Sequence, residues 1–103
     1  MAQREIIWTS QAQHEFANIL SYFLERNQSN VYSLKLIDLV EHITKTIAKN
    51  PHIGLQNKDD SSRTFIFERY SIIYDFDERQ ISILSIWDDR QQPDKKLTQK
   101  KSE

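Results

Sequence analysis

The sequence predicts an α+β domain in which a two-helix hairpin packs on one face of a mainly antiparallel sheet. Three observations predict it. After a brief apolar run, the first half repeats apolar residues at helical spacing, and the second half repeats them at strand spacing. The blocks also follow one another as helices and then strands instead of alternating, which separates α+β from α/β. At 103 residues, 38% hydrophobic and 28% charged, the chain is long enough for one modest core and too short for two. Residues 1–97 are expected to form one domain.

Ile6-Ile7-Trp8 reads as a short strand, closed by Thr9-Ser10. Ser10 followed by Gln13 fits a capping box, so a helix is predicted from Gln11 to about Arg26. Ala12, Phe16, Ile19, Leu20 and Phe23 form its buried stripe, and Gln13, Glu15, Asn18 and Glu25 are assigned to solvent. Asn27-Gln28-Ser29-Asn30 interrupts the pattern and offers Ser29 or Asn30 as the next N-cap. Tyr32, Leu36, Leu39, Val40, Ile43 and Ile47 then define a second helix, which Asn50-Pro51 ends because proline disfavours helical geometry in the residue before it. Gly54 is expected to help turn the following loop.

Gln56 to Ser62 is polar, whereas Thr64–Phe67, Tyr70–Phe76 and Ile81–Trp87 are rich in Ile, Phe and Tyr and separated by short polar breaks. A three-strand meander is predicted. In its middle strand Tyr70, Ile72, Tyr74 and Phe76 share the face toward the helices, and Ser71, Ile73 and Asp75 share a more solvated one. Phe65 and Phe67 are expected to pack against the helices, since they lack the glycine-bearing motif of base-stacking sheets. Beyond Trp87 the chain turns polar, and Lys95, Lys96, Lys100 and Lys101 surround a lone Leu97. Residues 98–103 are expected to be a frayed basic tail.

Composition excludes several classes of function. There is no cysteine, so disulfide and thiolate chemistry are ruled out. His14, His42 and His52 are too scattered for a metal site, and solvated or capping roles are expected. Asp59-Asp60 and Asp88-Asp89 resemble paired carboxylates, but loop-like surroundings assign them to turns and solubility. No cofactor is expected. No run approaches the ~20 apolar residues of a membrane span, so a cytoplasmic protein without membrane contact is expected. A net charge of −1 gives no global attraction to nucleic acid, and phosphate binding would need a local patch.

Ile7-Trp8-Thr9 before Ala12, Asn50-Pro51 and Gly54 after the hairpin, Arg63 opening the meander and Tyr70-Ser71-Ile72-Ile73-Tyr74 within it occur in an order that resembles the RelE/ParE toxin superfamily. Ile86-Trp87-Asp88-Asp89-Arg90-Gln91-Gln92-Pro93 looks like its usual close. The resemblance runs from about Ile6 to Leu97. It implies a bacterial, plasmid-stabilisation-like toxin of a type II toxin–antitoxin pair, held inactive by a cognate antitoxin that often covers the working face.

Two activities exist in that superfamily. RelE-like members cut messenger RNA on the ribosome with basic residues and a late tyrosine or histidine, and ParE-like members poison DNA gyrase without evident catalysis. Here Ser71 occupies the strand position of a common RelE-like arginine, and neither tyrosine nor histidine follows Tyr74. The ParE-like branch is therefore favoured. RNA cleavage needs a proton acceptor, a proton donor and cationic stabilisation, and only the cations have candidates: Arg63 and Arg90 as weak catalytic ones. Arg63, Arg69, Arg90, Lys95 and Lys96, gathered near one sheet edge, are the candidate target-binding cations, with Trp87 as a possible anchor. A gyrase poison, a ribosome-dependent nuclease and a non-toxic antitoxin-binding relative remain the alternatives.

Overall fold

The computed structural model describes residues 4–58 and 60–90. Its elements run β1 (Glu5–Trp8), α1 (Ser10–Asn27), α2 (Val31–Lys49), β2 (Leu55–Gln56), β3 (Arg63–Phe67), β4 (Tyr70–Phe76) and β5 (Gln80–Asp88). The sheet order is β1-β5-β4-β3-β2. Pairing is antiparallel throughout the meander and parallel between β1 and β5, with Glu5 opposite Gln80 and Trp8 opposite Ile83. The predicted α+β class and the three meander strands are present. The two-residue β2, Leu55–Gln56, is too short to show a strand period in the sequence.

Thr9, not Ser10, caps α1. Its Oγ1 accepts the Ala12 N–H at 3.1 Å, and Ser10 is already helical. Thr9 wins because its hydroxyl also donates to the Ile83 carbonyl at 3.0 Å, which ties the helix start to β5. At the far end Gln28 adopts a left-handed φ of 50° and returns its N–H to Leu24 O. The α2 N-cap is Asn30, without a side-chain bond, while Ser29 Oγ accepts the Val31 N–H at 3.2 Å.

Glu15 departs from the expected solvated face: it is buried. The cause is an irregularity in the β4–β5 ladder, where Ile73 pairs with Ser85 but Tyr74 pairs with Ile83, so Leu84 has no opposite residue. Glu15 Oε1 accepts from Ser85 Oγ at 2.7 Å and from the Ile86 N–H at 3.1 Å, supplying acceptors where the ladder is interrupted.

The core lies between the helices and one sheet face. Ala12, Ile19 and Phe23 from α1 and Leu36, Val40 and Ile47 from α2 meet Ile72, Ile81, Ile83 and Ile86 of the central strands. Each of these side chains larger than Ala12 contributes about 1.5–3 kcal/mol by leaving water. Phe67 is buried, and Phe65 and Trp8 pack at the margin, Trp8 stacking on Phe16 at 5.5 Å. On the outer face Ser71 is buried, contrary to expectation, because it is a small residue between Ile66 on β3 and Trp87 on β5.

Candidate functional site

Two buried tyrosines on the helix-facing side of β4 organise two ends of the sheet. Tyr70 begins the strand and pairs with Asp88, the last residue of β5. Its hydroxyl is hydrogen bonded to Tyr32 Oη of α2 at 2.5 Å and accepts from Arg90 Nη2 at 3.0 Å. Arg90 also donates from its backbone N–H and its Nε to Asp88 Oδ1, at 2.9 and 3.3 Å. The guanidinium lies over the Phe23 and Tyr70 rings, 5.3 and 5.8 Å from their centroids. Burial, and then the bond to Tyr32, push the Tyr70 hydroxyl well above its usual range. Burial works against the Arg90 charge, but Asp88 and the nearby hydroxyls outweigh it and raise its proton affinity further.

Tyr74 marks the other end. Its hydroxyl donates to Pro51 O at 2.7 Å and accepts the Gly54 N–H at 2.9 Å, so it locks the loop after α2 onto the sheet. Burial raises its ionisation above the ordinary tyrosine range, partly offset by the Gly54 bond and Arg63. Arg63 Nη1 donates to Gly54 O at 2.7 Å and to His52 O at 3.4 Å. Gly54 has no positive φ, so the turn itself does not require glycine. The requirement is close approach: a Cβ there would lie 2.7 Å from Tyr74 Oη and 3.0 Å from Thr64 O.

Beside Arg90, Tyr22, Phe23 and Arg26 of α1 complete the lining of an open hollow of about 170 Å³. Arg26 Nη1 donates to Tyr22 Oη at 3.1 Å.

This sheet, hairpin and order of elements accompany a match over residues 6–93 to the family described as the ParE toxin of type II toxin–antitoxin system, parDE. The chain belongs to the ParE toxin family. No curated protein gives a significant match. Among solved structures it is similar to a chain of the chromosomal ParDE toxin–antitoxin system from P. aeruginosa, with a TM-score of 0.68 and 18% identity, covering 82% of this chain and 94% of that one. At that identity the likeness concerns the fold.

Within this ParE-family fold the three described arginines of the predicted set do not form one patch. Arg69, in the β3–β4 turn, and Arg90 share an end, since the Asp89 N–H donates to Arg69 O at 2.9 Å. Arg63 pairs with Tyr74 in the ladder, some four residues along β4 from Tyr70, which is roughly 13 Å at strand rise. Lys95 and Lys96 and the basic tail lie outside the described residues, as does Asp59. Asp60 serves a turn, its Oδ1 accepting the Ser62 N–H at 2.8 Å. Asp88 differs from the loop role expected of it: it ends a strand and is wholly buried. Its bond with Arg90 is therefore no simple surface ion pair, because one partner is enclosed and the other side chain is 40% exposed. Trp87 is half-buried on the outer face, and its indole N–H is buried without a partner among the described residues. His14, His42 and His52 are exposed, and among the described residues no three His, Asp or Glu side chains converge as metal ligands. No described helix is long and apolar enough to cross a membrane.

The sequence makes only part of the Tyr32–Tyr70–Arg90–Asp88 network legible. Arg90 stands out in the sequence, but Tyr32 and Phe23 read as core positions and give no signal of a polar role.

Proposed function

We propose that this ParE-family toxin arrests growth by binding a protein target, DNA gyrase, without catalysing a reaction itself, and that a cognate antitoxin holds it inactive. The observation that carries this reading is the fate of the hydroxyl groups of β4. Both tyrosines of β4 are buried and hydrogen bonded, with their ionisation raised. Ser71 is enclosed between Ile66 and Trp87. A hydroxyl held in this way is a poor proton donor or acceptor near neutral pH. Arg90, by contrast, keeps part of its guanidinium in solvent on a fixed mount, which suits recognition of a partner surface.

Purified protein added to DNA gyrase tests this reading. Inhibition of supercoiling in proportion to the toxin added, with ribosome-bound messages left intact, is the expected result. Uninhibited gyrase together with cut messages would replace it with the RelE-like activity, and growth without arrest on expression would leave only the antitoxin-binding role.

A further inference from the structure

The hollow beside Arg90 carries a charge balance that its own residues leave open. Arg26 stands in the last turn of α1, and its guanidinium lies 6.0 Å from the Tyr22 ring centroid. The ion pairs Lys45–Glu41 and Arg90–Asp88 do not involve Arg26, so among the described residues no carboxylate lies on it. Asp88 offsets Arg90 alone. Among the described residues, one positive charge without a carboxylate therefore shares the hollow with two aromatic rings. A cation in the last turn is favoured by the helix dipole, but the dipole accounts neither for the Tyr22 hydrogen bond that orients Arg26 nor for the second guanidinium across the hollow.

We propose that this hollow receives a carboxylate side chain from a partner polypeptide, held by Arg26 and the open side of Arg90 with its aliphatic stem against Tyr22 and Phe23. A volume of about 170 Å³ suits one acidic side chain. Guanidinium donors match a carboxylate's two oxygens, and the rings suit the methylenes that carry it. A nucleic acid strand fits less well. Gripping phosphates along a backbone calls for a row of cations, whereas the hollow offers one unbalanced charge on a chain of net charge −1. The proposal rests on the reading above only in naming the antitoxin as the source of the acidic segment.

The test uses the intact protein and a capped peptide, acetyl-Leu-Glu-Leu-Glu-Leu-amide, followed by NMR of the Tyr22 ring and the arginine side chains. The glutamine version of the peptide and inorganic phosphate serve as comparisons. Saturable shifts at Tyr22, Arg26 and Arg90 are expected, with the glutamine peptide about tenfold weaker or worse and Arg26→Gln losing about tenfold in affinity at an unchanged melting temperature. Arg26→Lys should recover part of that loss. Shifts elsewhere, no saturation, equal binding by the glutamine peptide, or indifference to Arg26→Gln would overturn the proposal. Phosphate displacing the peptide at equal concentration would make the hollow a general anion site and overturn the commitment to a polypeptide. Neither antitoxin nor gyrase is present, so failure here leaves the toxin reading standing, and failure of gyrase inhibition leaves this result standing.

Discussion

The two ends of β4 use the same pair of residue types for opposite purposes. At the Tyr74 end, tyrosine and arginine both spend their hydrogen bonds on backbone groups of one loop: Pro51 O, Gly54 N and O, and His52 O. At the Tyr70 end the hydroxyl meets another tyrosine and an arginine, and that arginine, paired with Asp88, faces the hollow with part of its guanidinium in solvent. A tyrosine–arginine pair is thus a lock when its partners are carbonyls and a recognition surface when they are side chains with spare donors. The first kind should fail by loosening the fold, and the second by losing partners.

The comparison breaks most visibly at Arg90→Ala. The enclosed Asp88 then loses its only ion-pair partner among the described residues, and a cost of about 2–3 kcal/mol is expected, below the 3–5 kcal/mol of a fully buried pair because Arg90 is partly solvated. Chemical denaturation measures it. Restoration of most of that loss by adding Asp88→Asn would identify the orphaned carboxylate as the cause.

Tyr74→Phe comes next. It leaves the Gly54 N–H and the Pro51 carbonyl buried without their partner, at about 1–3 kcal/mol, with faster exchange of the Gly54 amide as the local signature. Equal protection of that amide in the variant would mean that Tyr74 is not the lock.

A smaller effect sharpens what the ends share. Tyr70 and Tyr74 both ionise higher folded than unfolded, where the ordinary value is near 10. Above pH 10 the unfolded chain loses these protons first, so the folded state binds more of them. The contribution is fully present below pH 10 and is lost as pH climbs toward the raised values, by at most about 1.4 kcal/mol per pH unit for each tyrosine. Denaturation series above pH 10 should show that slope, reduced by one tyrosine's share in Tyr74→Phe.

The sequence foretold the fold better than the site, for physical reasons. Periodicity reports which side of an element leaves water, so Ile19, Phe23, Leu36, Val40 and Ile47 declared both helices and Tyr70–Phe76 declared the central strand with its bounds intact. Glu15 and Asp88 were assigned to solvent because their burial depends on distant partners, an interrupted ladder and an arginine, that no local pattern encodes. The same holds for Gly54, whose need is a tyrosine hydroxyl twenty residues away. Of the candidate site, the three arginines were visible as residues, but their separation into two ends followed from hairpin register. Arg26 and Tyr22 carry no signal in the sequence because an exposed helix end is the ordinary place for such residues.

The account's central claim is that the Tyr70 end is the working end and the Tyr74 end a lock. The double variant Asp88→Asn with Arg90→Gln tests it most directly, because it removes both charges together and leaves no lone buried carboxylate. Growth arrest on expression, scored beside the melting temperature and beside Arg63→Gln, is the measurement. The account predicts a double variant that melts within a few degrees of the parent and no longer arrests growth, while Arg63→Gln still arrests it to the extent that it stays folded. Full arrest by the double variant, or loss of arrest by a stably folded Arg63→Gln, would contradict it.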